Sequence, residues 1–377
     1  MNGQRELEMK ISRVEAIPFR VRLAAGVGPI RSSIWAMNAA NHVLIKVTTN
    51  DGLEGYGEAT ERPTLYGETQ SSICAAVGSW LGPPLLGLDP FDLEKIWDRM
   101  DKIAANNTAK GAIDIAVHDL LGKRLGLPVH KLLGSWDGQK VRASSLLPFG
   151  TPEKTASLAL ERMRRQGIRA FKIKVGKDPD RDVKTFIALR EGLGKEALLY
   201  VDANQGWTPD QAVRAIREME PYGLAWVEEP VKKGDFAGKL RVSDHIGVPL
   251  LLDESATTPE EVWHQIRMGM NCLINIKTTR TGFYNSRKIL HLAEAANIAC
   301  MVGTTRETGV GTAASLQFAS SFKNIQVAEV ADYEIYEHTL LETPFRIEDG
   351  FAHVPAGSGL GLAISPEALA RYKVKPG

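Results

Sequence analysis

Between Lys172 and Lys277 the chain ends one short apolar run after another on charged residues: KIKVG, VDANQGW, WVEEP, LLDES and NIKTTRTG. Lys174, Asp202, Glu228, Asp253 and Lys277 follow one another at intervals of 28, 26, 25 and 24 residues. A strand, a helix and two short loops need about that length, and a right-handed crossover lays each strand parallel beside the last. Charges at the carboxyl ends of successive parallel strands converge on one rim, which is where a (β/α)8 barrel keeps its active site. The spacing therefore predicts three carboxylates together on a barrel mouth, flanked by lysines.

The flanking sequence completes an α/β chain with that barrel in its middle. From Val141, short apolar strands alternate with amphipathic helices; VRASSLL is the first strand, and eight strands follow one another to IQVAEVA. One of the helices, TPEKTASLALERMRRQG, opens on a Thr cap and stops at Gly. Ahead of the barrel, ISRVEAIPFRV and NHVLIKVTT read as strands and TNDGLEG as a hairpin, with helices over residues 70–127. Strands first and helices after make an α+β domain. Ala109, Ala112, Ile113, Ala116 and Leu120 form a stripe of mostly small residues suited to close packing, and His118 among them reads as structural. The expected division is residues 1–135 as an α+β capping domain, 136–340 as the barrel, and 341–377 as a segment returning to the cap.

Composition narrows the function. The chain is 44% hydrophobic and 24% charged, so a large core is expected and wholesale disorder is not. A net charge of +1 with no basic block argues against nucleic acid as the main partner. The polar start MNGQRELEMK is no secretory signal, and no apolar run reaches membrane-spanning length, so a cytoplasmic protein without a membrane partner is expected. Cys74, Cys272 and Cys300 are odd in number and far apart; they read as buried thiols, not as a disulfide framework.

Residues two apart on a strand face the same side, so Lys172 joins Lys174, and Asn204 joins Asp202, on the inward face. For a single residue a salt bridge is the simpler account. For five successive charged strand ends it fails, because buried ion pairs contribute little net stability. Asp202, Glu228 and Asp253 offer only oxygen, which suits a hard cation, Mg2+ or Mn2+. Glu229 faces away from Glu228 and is expected to be structural or to support the ligands. A cation flanked by lysines points to a small carboxylate substrate whose neighbouring carbon gains or loses a proton. Lys172 beside Lys174 supplies a charge that would lower its neighbour's pKa.

On these residues the chain resembles the enolase superfamily, muconate-lactonizing subgroup, over essentially its whole length. The resemblance makes Lys172 and Lys174 the subgroup's K-x-K pair, Asp202, Glu228 and Asp253 its metal ligands, and Lys277 the opposing lysine. Glu329 falls near the eighth-strand glutamate of muconate cycloisomerases. Family members carry a capping domain whose two loops close over the barrel mouth, and residues 24–38 and 60–69 fit those loops. The loop ERPTLYGETQ, which carries Tyr66, and the segment NIKTTRTGF are similar to those of syn-adding muconate cycloisomerases. Two departures bear on substrate. After the seventh strand stands GTTRETG, whose Arg306 is either a partner for a substrate carboxylate or a surface residue. The D-x-D of dipeptide epimerases is missing from the eighth strand, where EVADYE has Asp332 alone, which counts against dipeptide epimerisation. The resemblance implies a muconate cycloisomerase, with Tyr66, Asn204, Arg306 and Glu329 as candidate substrate contacts, and a homo-oligomer, dimer or octamer. The alternatives are o-succinylbenzoate synthase or N-acylamino acid racemase chemistry, or a non-catalytic binding barrel.

Overall fold

The computed structural model describes residues 9–375, so the first eight residues of the polar start lie outside the described residues. Ile11–Arg22, Ala39–Thr49 and Glu54–Thr60 form an antiparallel sheet with Ala39–Thr49 in the middle. Against it lies the helix Asn107–Leu125, buried along most of its length. The small-residue stripe works as expected. A Cβ at Gly57 would stand 2.0 Å from the Ala112 carbonyl oxygen, and one at Gly55 would stand 2.1 Å from that of Ala116. Only backbone against backbone fits there. The helix's other side meets the barrel, where a Cβ at Gly111 would stand 2.9 Å from the Gly282 nitrogen. Gly282 interrupts the helix Thr278–Ala295 with φ 63°, and Asp114 accepts the Phe283 and Tyr284 N–H groups at 2.6 and 3.2 Å across the same joint. His118 bonds the Asp114 carbonyl through Nδ1 at 2.9 Å and meets Phe283 edge-on, a satisfied structural histidine.

The barrel is an eight-stranded parallel sheet in chain order, from Ser144–Leu147 to Ile325–Ala328. Its first and last strands meet through a single bridge, Ala143 to Ala328, so closure is nearly complete. Most of the intervening helices open alike: Thr151, Asp178, Thr208 and Thr258 cap with their side chains, each followed by Pro at the first turn. Inside, Ala170, Tyr200, Trp226, Leu251, Leu273, Met301 and Val327 pack as one apolar layer. Two residues along from each of six of these stand Lys172, Asp202, Glu228, Asp253, Asn275 and Glu329. The pleat thus fixes a polar layer directly above an apolar one.

Three expectations change. VRASSLL is two elements: Lys140–Arg142 pairs with Phe351–His353, and only Ser144–Leu147 enters the barrel. The hairpin PFRIEDGFAHVP therefore sits at the barrel's lower end and not on the capping sheet. The chain beyond it does reach the cap: Leu360 N–H bonds Asp119, and Val374 N–H bonds the Pro18 carbonyl. Cys272 and Cys300 are buried free thiols, but Cys74 is only half-buried, because its short helix Gln70–Ala76 lies on the outside of the cap. Among the described residues no helix is long and apolar enough to cross a membrane.

Candidate active site

The polar layer at the barrel mouth is a lattice of opposite charges. Lys172 and Lys174 project from the strand Ala170–Lys174. Lys172 Nζ lies 2.7 Å from Glu329 Oε1, 3.1 Å from Glu228 Oε2 and 3.5 Å from Asp202 Oδ2. Lys174 Nζ donates to Asp202 Oδ2 and Asn204 Oδ1, both at 2.5 Å. Lys277 pairs with Asp253 from the opposite arc. Asp253 also receives Arg280 Nη1 at 2.8 Å, and Arg280 lies one helical turn beyond Lys277. Glu228 accepts Asn275 Nδ2 at 3.0 Å.

Some positions follow from turns, not strands. The third strand stops at Asp202, and Asn204 adopts φ 42° just beyond it. Its N–H bonds Asp202 Oδ1 at 2.8 Å, so the side chain still reaches Lys174 although strand alternation no longer applies. Glu229, at φ 37°, turns from the cavity as expected. It accepts the Asp253 and Ser255 N–H groups at 2.9 and 3.2 Å and pairs with buried Lys239 at 2.9 Å, which fixes the turn that carries Asp253.

Electrostatics separates the three carboxyls. Burial works to raise all of them. At Asp202 the ammonium groups of Lys174 and Lys172 overcome it and lower the pKa. At Asp253, Lys277 and Arg280 do the same more strongly. At Glu228 burial wins, helped by Asp202, and the pKa stands well above its ordinary value. Glu254 is pushed up to about 8 by burial and then by Asp253, Glu229 and Asp202. On Lys172 and Lys277 burial is outweighed by carboxylates, Glu228 and Glu329 for the first and Asp253 for the second, so both stay firmly protonated.

This is a donor set with excess negative charge packed around Glu228. Asp202, Glu228 and Asp253 stand on adjacent strand ends and offer oxygens only, so they fit a hard divalent cation. As positioned here each carboxylate is turned to a lysine, and among the described residues no three His, Cys, Asp or Glu side chains surround a common point.

Over the mouth lie the two loops. In residues 24–38, Ser33 Oγ donates to the Ala203 and Asn204 carbonyls at 3.0 and 2.6 Å. In residues 60–69, Thr60 bonds Thr305 at 3.2 Å, and the Arg280 guanidinium lies 5.7 Å from the Tyr66 ring centre. A small cavity remains beneath them. Tyr66, Asn204 and Arg306 line it with Lys172, Lys174 and Lys277. Arg306 is a buried residue, 5% exposed, not a surface one, and it pairs with Asp332 at 3.3 Å. Glu329 lies outside the cavity lining; it accepts Lys172, the Tyr200 hydroxyl and the Thr304 N–H. Sequence reasoning missed Arg62, Glu254 and Arg280. The i, i+3 relation to Lys277 could have found Arg280, and adjacency to Asp253 could have found Glu254; a lone arginine in a loop carries no signal.

Residues 14–134 match the family described as the mandelate racemase / muconate lactonizing enzyme N-terminal domain, and residues 154–368 match the enolase C-terminal domain-like family. The chain belongs to the enolase superfamily. Muconate lactonizing enzyme from Mycobacterium smegmatis, solved with muconolactone, superposes with a TM-score of 0.94 at 36% identity, covering 97% of this chain and 100% of that one. Dipeptide epimerase from Enterococcus faecalis, solved with Mg and the dipeptide L-Leu-L-Tyr, gives a TM-score of 0.88 at 31% identity over 94% and 99%. N-succinyl-L-Arg/Lys racemase of Bacillus cereus is 30% identical over 97% of this chain and 98% of its own. The family resemblance and the capped barrel expected from sequence are thereby established, and the chain is an enzyme of the isomerase and lyase kind that these names describe.

Proposed function

We propose that this enzyme is a muconate cycloisomerase, converting cis,cis-muconate or a substituted muconate to a muconolactone. One observation carries the choice among the superfamily's reactions. Asp332, the one aspartate of the eighth-strand segment, is occupied by Arg162 at 2.5 Å and Arg306 at 3.3 Å, and Glu329 of the same segment is occupied by Lys172 at 2.7 Å. A dipeptide's free amino group finds no unpaired carboxylate there, whereas a dicarboxylate meets the cations that line the cavity. The likeness to the muconolactone-bound enzyme supports the same reading.

Asp202, Glu228 and Asp253 would hold Mg2+ or Mn2+, which when bound supplies positive charge for a substrate carboxylate and for the enolate that develops from it. Lys174, oriented by Asn204, delivers the proton to the α-carbon. Lys277, on the opposite arc, places a fixed positive charge against the other face. Lys172, held by Glu228 and Glu329, contributes charge from below.

The presence of a lysine on each arc favours one second reading, racemisation of an N-acyl amino acid by two bases. Purified protein with Mg2+ should consume cis,cis-muconate with loss of its diene absorbance, and chelation should abolish that turnover until Mg2+ or Mn2+ is restored. Untouched muconate together with α-proton exchange in N-succinyl amino acids would replace the cycloisomerase by the racemase. Full activity after exhaustive chelation would remove the metal from either.

A further inference from the structure

Arg62 is a buried cation for which the chemistry above has no use. It belongs to the loop of residues 60–69, is 6% exposed, and lines the same cavity as Lys174, Asn204 and Lys277. Its guanidinium carbon lies 5.4 Å from the Trp35 ring centre, so the two loops meet at this side chain. Every acceptor it touches is neutral. Nη1 donates to the Glu61 carbonyl, Nη2 to the Thr305 carbonyl and, weakly, to the Met37 sulfur at 3.7 Å. Arg162, Arg280 and Arg306 each have an aspartate within ion-pair distance; among the described residues Arg62 has no acidic group that close, and Glu307 and Glu61 act on it only from further off.

The acidic groups around it are committed elsewhere. Glu307 accepts from Thr304, the Thr305 N–H and Ser315, and the Glu61 side chain hydrogen-bonds Asn41. Withdrawing a guanidinium from water without a counter-charge is strongly unfavourable. Burial accordingly pulls its pKa below the ordinary arginine range. A planar fork of N–H donors in that state is matched by a carboxylate.

We infer that Arg62 binds a second carboxylate, at the end of the substrate remote from Asp202, Glu228 and Asp253, and so selects dianions. The inference rests on the reading that a first carboxylate is held at those three residues. In lactonisation the remote carboxylate is the nucleophile. One of its oxygens forms the new C–O bond, the conjugated π bond shifts toward the first carboxylate, and the lysine proton ends on the α-carbon. Arg62 would orient the attacking group and, in reverse, receive the charge returning to it. An ammonium at the same end would face an uncompensated cation.

Calorimetry with unreactive ligands tests this without turnover. Mg2+-loaded wild type should bind adipate at least tenfold more tightly than hexanoate. Arg62→Met should erase that preference while leaving hexanoate affinity unchanged, which also shows that the variant is folded. Arg62→Lys should restore part of it. A wild type without the preference, or an Arg62→Met variant that keeps it, overturns the inference. Muconate left unconverted by a protein that still shows the Arg62-dependent preference would sink the cycloisomerase and spare Arg62. Muconate turned over by a protein without the preference would do the reverse.

Discussion

The two lysine arcs of the barrel mouth are built by different means. Lys174 belongs to a strand, and its partners Asp202 and Asn204 come from the next strand and the turn after it. Lys277 lies just past its strand, at the cap of the helix Thr278–Ala295. Its partner Asp253 is shared with Arg280, is fixed from behind by Glu229, and lies under the loop that carries Tyr66. One arc is therefore set by neighbouring strands and the turn after them, touched by the capping loop only where Ser33 meets the Ala203 and Asn204 carbonyls. The other depends on strand, helix, lid and capping domain together, so perturbations far from the chemistry should reach Lys277 before they reach Lys174.

The largest effects should come from the lysines themselves. Lys174→Ala should lower turnover by on the order of a thousandfold, the middle of the range for loss of a general acid, with metal affinity near wild type. Lys277→Ala should cost about a hundredfold through lost charge stabilisation. Exchange of the lactone's α-proton in deuterated water separates the roles: it should stop in Lys174→Ala and persist in Lys277→Ala. The opposite pattern reverses the assignment, and exchange of opposite substrate enantiomers by the two variants would mark a two-base racemase.

Arg280→Met tests whether the Lys277 arc really depends on its supports. Freed on one side, Asp253 should lose orientation, and Mg2+ affinity measured by calorimetry should fall about 10- to 100-fold, as for other residues behind metal ligands. Unchanged affinity would mean that Glu229 suffices. Gly111→Ala acts from further away. The new methyl would stand 2.9 Å from the Gly282 nitrogen and push on the kinked helix behind Lys277. A stability loss of about 1–3 kcal/mol in denaturant titrations is expected, with lower turnover. A neutral outcome would show that the cap and the Lys277 arc are not coupled.

The smallest effect concerns a third contact between cap and barrel. His42 bonds Glu58 at 2.7 Å, and Glu58 accepts the Thr308 and Gly311 N–H groups that open the helix Gly309–Ala319. Burial holds His42 below its ordinary pKa of 6.5, with Glu58 opposing only in part. The unfolded chain then takes up a proton near that pH and the folded chain does not. His42's contribution is intact above the unfolded value and is lost as pH falls through the folded one. The melting temperature should drop between about pH 7 and pH 5, and His42→Gln should flatten that slope. An equal slope in both proteins would place the titration elsewhere.

Legibility in the sequence followed the range of the interaction concerned. The order of Lys174, Asp202, Glu228, Asp253 and Lys277 along one rim was readable because pleat and crossover are local rules repeated along the chain. The Thr-Pro start at Thr151 marked its helix for the same reason, whereas the matching Asp178-Pro179 start shows only in the structure. VRASSLL could not be divided from sequence, since its apolar pattern continues across Ala143 and only a hairpin some 200 residues later claims Lys140–Arg142. Arg306 could not be assigned to surface or interior, because its burial depends on Asp332 and Tyr336 from the eighth-strand end.

The sequence by itself determined the capped (β/α)8 architecture, the inward row of charges and its flanking lysines, since periodicity and spacing suffice for those. Only the tertiary structure decided that Asp332 is closed off by two arginines, that Arg280 braces Asp253, and that Arg62 is buried with no counter-charge within ion-pair distance. Each of these is a meeting of segments distant in the chain. A loop side chain has no period to betray its direction, so its environment exists only once the cap has closed on the barrel.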